Sequence, residues 1–107
     1  MAKISVKGKF MFSPEKMARI SLATTGRLQL DLYCLARGQS QKAHTHADLD
    51  KVYYVVEGTG RFTLGGQDEK LGPGEAVVAP AGIEHGLVND GPEPLVALVV
   101  VAPPPTH

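Results

Sequence analysis

His44, His46 and His85 are the residues whose types and spacing point to chemistry. His44 and His46 stand two apart in "KAHTHADLDK". On a strand, side chains at i and i+2 share a face, so both imidazoles project to one side and Thr45 to the other. Imidazole suits Zn, Cu, Fe and Ni, so the pair alone reads either as half of a metal site or as polar strand surface. His85 follows "GEAVVAPAGIE", where a strand breaks at Pro80 and restarts after Gly82. The rigid turn beside it fixes its direction; the alternative is a half-exposed histidine at a strand start. His107 closes the run "PPPTH" and is expected to be solvated.

The elements that must position these residues read as short strands. Twelve glycines and eight prolines fall between short apolar runs, the punctuation of an all-β sandwich or barrel. Leu28, Leu30 and Leu32 alternate with Gln29, Asp31 and Tyr33, the period of a half-buried strand. Cys34 is in step with the leucines and reads as a small buried apolar residue rather than a reactive thiol. "KVYYVVE" (51–57), "RFTL" (61–64) and "EAVVA" (75–79) have the β-branched and aromatic content of strands, and another strand is expected from His85 to Val88. Gly65-Gly66 suits a tight hairpin into "QDEKL", and Pro73-Gly74 suits the centre of a type II turn. "LVALVVVA" (95–102) is continuously apolar, as in a strand buried on both faces or at an interface. The helix candidate is "SPEKMARI", with Ser13 as cap and Pro14 in the first turn. The tail over 103–107 lacks the donors to join a sheet and is expected to be extended.

A length of 107 residues suits one domain over 1–107. Eleven Lys and Arg balance eleven Asp and Glu, so no basic excess points to nucleic acid or to an anionic membrane. No apolar run approaches the ~18 residues of a membrane span. "MAKISVKGKF" lacks a secretory apolar run, and one cysteine allows no intrachain disulfide. These features lead to the expectation of a soluble cytoplasmic protein.

"GQSQKAHTHADLDKVYYVVEG" (38–58) resembles the first motif of the cupin superfamily: a glycine, five residues, His-x-His, an acidic residue and a closing glycine. "GEAVVAPAGIEHGLVN" (74–89) resembles the second, with Gly74, Pro80, Gly82, His85 and Asn89 in place. The resemblance implies a double-stranded β-helix, a jelly-roll barrel of two antiparallel sheets. It implies that His44, His46 and His85 converge on one divalent transition metal ion (Zn, Fe, Mn, Ni or Cu) with positions left open for water or substrate. It also implies that Asn89 supports a loop, and that the protein pairs as a homodimer through "ISVKGKFMF" or "LVALVVVA".

The chain departs from the family pattern at one step. A glutamate ligand commonly stands seven residues before the closing glycine, and counting back from Gly58 gives Lys51. Counting on from His46 gives Asp50, and one residue reverses the strand face. Three placements follow: Lys51 inward beside a three-histidine site, Asp50 turned inward by a bulge as a fourth ligand, or a cavity without tightly held metal. An inward lysine beside a dication should swing away, pair with an acid or bind an anion. Tyr53 shares the face of Lys51 and is expected to line the cavity. Tyr54 points the other way, toward core or interface. Asp48, Glu57 and Glu84 read as surface.

The expected function is metal-dependent chemistry on a small organic molecule inside the barrel. Dioxygenases, isomerases and decarboxylases all occur in the family, and the fold does not choose among them. The alternative is a non-enzymatic cupin that binds or senses a small ligand.

Overall fold

The computed structural model describes residues 3–105. Nine strands follow a 3-10 turn at Lys7–Lys9: β1 (Ala18–Thr24), β2 (Gln29–Leu35), β3 (Ser40–His44), β4 (Asp50–Glu57), β5 (Gly60–Leu64), β6 (Gln67–Leu71), β7 (Ala76–Ala79), β8 (His85–Val88) and β9 (Leu95–Ala102). They form two antiparallel sheets, β1-β2-β9-β4-β7 and β3-β8-β5-β6. The all-β, two-sheet expectation is met, and no described helix is long and apolar enough to cross a membrane.

The apolar run of β9 takes the centre of the five-stranded sheet. Its Leu95, Ala97, Val99 and Val101 face the barrel core with Leu35, Tyr53, Val55, Phe62 and Leu87. Val96 joins Leu32 and Cys34 on the outer face, against Val6, Phe10, Ile20 and Leu22. A strand buried on both faces must be apolar at every position, which β9 is. Each aliphatic side chain sealed this way contributes about 1.5–3 kcal/mol.

Strand β2 has the expected alternation, but both of its faces are covered. Leu32 and Cys34 lie on the outer face under the N-terminal segment, whereas Asp31 and Tyr33 are buried on the inner side. The polar set of this strand therefore looks into the barrel.

The expected helix over 13–20 does not form. The chain bends at residues 14–16, with the Glu15 N–H donating to Ser13 Oγ at 3.3 Å, and Ala18 already opens β1. Ile20 and Leu22 are drawn to Leu32, Cys34 and Val96, so strand pairing with β2 overrides a short helix with little apolar surface to bury. Tyr54 points outward as its register requires; at 43% exposed it is not in the core, the first of its two expected placements. The tail joins no sheet as far as Pro105, and His107 lies outside the described residues.

Candidate metal centre

His44 is the last residue of β3 and pairs across the sheet with His85, the first residue of β8. His46 lies two residues beyond β3, yet its ring meets that of His44 at 4.6 Å between centroids. The centroids of His44 and His85 are 4.4 Å apart. One ligand atom from each of the three residues lies within 4.8 Å of the others. The structure thus brings together all three histidines singled out in the sequence.

Local backbone geometry sets this convergence. Pro80, Ala81, Gly82 and Ile83 form a turn closed by Ile83 N–H to Pro80 O at 3.2 Å, with Gly82 at φ +83°. That positive φ favours glycine. Gly82 N–H also donates to the His46 carbonyl at 2.7 Å, tying the turn before His85 to the loop that carries His46. On the other side, Ala81 N–H donates to Asp50 Oδ1 at 2.8 Å.

The rings are aimed as ligands. Nδ1 of His44 lies 2.8 Å from the Lys42 carbonyl, and Nδ1 of His85 lies 2.9 Å from the Ile83 carbonyl. A carbonyl only accepts, so each Nδ1 carries a proton, and in the neutral ring that leaves the Nε2 lone pair for a metal. His85 Nε2 is buried and has no hydrogen-bond partner among the described residues. An orphaned acceptor of this kind is costly unless something occupies the space before it, so the residues fit a metal ion. Burial pushes the His85 pKa down, opposed by the Ile83 carbonyl, with His44 and Lys51 adding to the fall. Burial, then His44 and Lys51, lower His46 likewise. Both rings therefore favour the neutral, metal-binding form.

The Asp50–Lys51 step resolves in favour of an inward lysine. Lys51 is 4% exposed, and its Nζ donates to Tyr33 Oη at 2.9 Å and to Tyr53 Oη at 3.4 Å. Asp50 is exposed and serves the Ala81 turn, so no bulge carries it toward the histidines. Burial, reinforced by Arg19 and partly offset by Asp31, pulls the Lys51 pKa down to about 8.

Beside the histidines lies a cavity of about 450 Å³, lined by His44, His46, Lys51, Tyr33, Asp31 and Arg19 among others. Tyr53 faces inward as expected but sits in the core beside this cavity, its hydroxyl donating to Gln41 Oε1 at 2.7 Å. Arg19, Asp31 and Tyr33 were not singled out from the sequence as site residues, and neither was Pro105, which also lines the cavity. The polar half of the β2 alternation was the available signal for Asp31 and Tyr33. Asn89 supports the loop: its Nδ2 donates to the Leu35 and Glu93 carbonyls at 3.0 and 2.9 Å. Asp48 and Glu84 are exposed, and Glu57 pairs weakly with Lys7 at 3.7 Å.

Two antiparallel sheets with three converging histidines at one end define a β-barrel protein with a candidate mononuclear metal centre. A cupin-domain family model matches residues 31–101, and the chain belongs to the cupin family. It is similar to the uncharacterized protein SCO3923 of Streptomyces coelicolor, 35% identical over 77 residues, covering 72% of this chain and 71% of that protein. It is 30% identical over 70 residues to the uncharacterized protein MJ1618 of Methanocaldococcus jannaschii, covering 65% of this chain but only 56% of that longer protein. The crystal structure of TT1209 from Thermus thermophilus superposes with a TM-score of 0.95 at 43% identity, covering 98% of this chain and all of that one.

Proposed function

We propose that this cupin holds one divalent transition metal ion (Zn, Fe, Mn, Ni or Cu) on His44, His46 and His85, and acts on a small organic molecule in the adjoining cavity. The observation that carries this reading is the buried Nε2 of His85, without a hydrogen-bond partner among the described residues, beside two further imidazoles. When bound, the ion supplies Lewis acidity or, if redox-active, a route to O₂ chemistry. The chain's own part is to hold the His44 and His85 rings through the Lys42 and Ile83 carbonyls and to wall the cavity with Tyr33, against whose ring Tyr53 packs.

Elemental analysis of protein purified without a metal-affinity tag tests the centre. Near-stoichiometric metal, lost in His85→Ala, supports it; metal absent from both proteins refutes it. The second reading, a ligand-binding module without turnover, is favoured by the buried lysine, which suits recognition more directly than proton transfer. Turnover that needs metal separates the enzyme from the module. We propose a homodimer as the assembly, and a sedimentation mass near 11.4 kDa would refute it.

A further inference from the structure

The cavity carries an unbalanced charge pattern. Arg19 and Lys51 are its cationic side chains and Asp31 its carboxylate. Lys51 is almost fully buried, yet its partners are two neutral phenols, and its third N–H has no partner among the described residues. The ion pairs of the described residues are Lys7–Glu57 and Arg61–Asp90, so neither cavity cation is paired. Both cations converge on one ring: the Arg19 guanidinium carbon and Lys51 Nζ each lie 5.2 Å from the Tyr33 centroid. A buried ammonium with no carboxylate within ion-pair distance is expensive, and the histidines beside it bring no negative charge. A dication on those imidazoles would deepen the excess.

Asp31 sets the opposite requirement. It is 2% exposed, and both its oxygens accept from Gln29 Nε2 at 2.9 Å. No cation lies within ion-pair distance of it among the described residues. Registers fix the layout: Gln29 and Lys51 flank Val101 in one row across β2, β9 and β4, and Asp31 and Tyr53 flank Val99 in the next. A carboxylate with free lone pairs attracts hydroxyl donors and repels a second carboxylate.

We propose that this cavity binds a small hydroxycarboxylate anion, its carboxylate held by Lys51 and Arg19 and its hydroxyl directed to Asp31. This deepens the reading of the cavity as the substrate site, but the anion contacts are built from residues other than the three histidines. An acid with a carboxylate at both ends is disfavoured, because the second carboxylate in the place of the hydroxyl would face Asp31. A neutral polyol is disfavoured, because it leaves Lys51 unpaired.

The test is an NMR chemical-shift titration of metal-free and cobalt-loaded protein with three probes: glycerate, malonate and glycerol. Glycerate should bind saturably, at least about tenfold tighter than malonate or glycerol, since charge-assisted hydrogen bonds of this kind are worth a factor of that order. Lys51→Met and Arg19→Gln should each weaken glycerate about tenfold, and Arg19 is exposed, so its replacement is expected to leave the fold intact. Asp31→Asn should narrow the gap between malonate and glycerate. The proposal is overturned if glycerate shows no saturable binding to either form, if glycerol matches it, if malonate matches it, or if both cation variants bind it as the wild type does. Cobalt absorbance in the same samples reads the metal centre separately. Failure of cobalt to bind with Lys51-dependent glycerate binding would sink the metal reading and leave this one standing.

Discussion

Lys51 Nζ lies 2.9 Å from the Tyr33 hydroxyl, at the position where a cupin commonly presents an acidic ligand. Among the described residues the ammonium is sealed by phenols rather than paired with an acid. Its folded pKa of about 8 lies below the ordinary lysine value near 10.4. Between these values the unfolded chain holds a proton that folded Lys51 has released, so its contribution to stability rises with pH from about 8 to about 10. Below about pH 8 both states are protonated and the cost is constant, on the order of 3 kcal/mol at most. Lys51→Met should therefore be more stable than wild type at pH 7, by about 1–3 kcal/mol, with the gap shrinking by pH 9.5. Urea unfolding of both proteins at the two pH values checks this, and a pH-independent gap would refute it.

A divalent ion that binds the folded protein alone must stabilise it by mass action, by about 2.7 kcal/mol at a hundredfold excess over Kd. Thermal unfolding with and without added cobalt should show this rise in the wild type and not in His85→Ala. An equal rise in both would mean that the ion sits elsewhere.

Much of this site was legible in the sequence because its determinants are local. The spacing of His44 and His46, the Pro80-Ala81-Gly82 turn and the spans of β8 and β9 each follow from residues adjacent in the chain. The features not legible in the sequence are long-range. No local pattern says that Ala18–Thr24 pairs with β2 instead of winding into a helix, because the reward is burial against Leu32, Cys34 and Val96. The ambiguity at Asp50–Lys51 turned on a one-residue register. It is resolved by the pairing of Lys51 with Ala79 and Val101, contacts distant in sequence. The cavity was the least visible, since Arg19, Asp31, Lys51 and Pro105 meet only in the folded barrel.

Asp50 illustrates how an acidic residue beside a metal motif can serve the fold instead. Its Oδ1 accepts from Ala81 N–H at 2.8 Å at an exposed position. Asp50→Ala should cost about 1 kcal/mol of stability, the usual scale for one hydrogen bond. Cobalt stoichiometry should not change. Loss of the metal with unchanged stability would reinstate Asp50 as a ligand.

Gly86 governs the approach of β3 to β8, and through it the His44–His85 pair. The register between these strands slips between Gln41 and His44, so Lys42 and Ala43 bulge opposite Gly86. A Cβ at Gly86 would lie 2.8 Å from both Ala43 N and Ala43 Cα, a clash with backbone rather than with a mobile side chain. Gly86→Ala must therefore push β3 away from β8 at the residue next to both histidines. Overpacking of this kind typically costs about 1–3 kcal/mol. Because the displaced strand ends in His44, cobalt affinity should fall at least about tenfold, although no ligand has been altered. A variant destabilised to the same extent at Gly60, whose Cβ would instead meet Leu95 in the core, supplies the control. If Gly60→Ala weakens cobalt as much as Gly86→Ala does, the effect is general loss of stability, and the close approach at Gly86 has no special part in setting the metal centre.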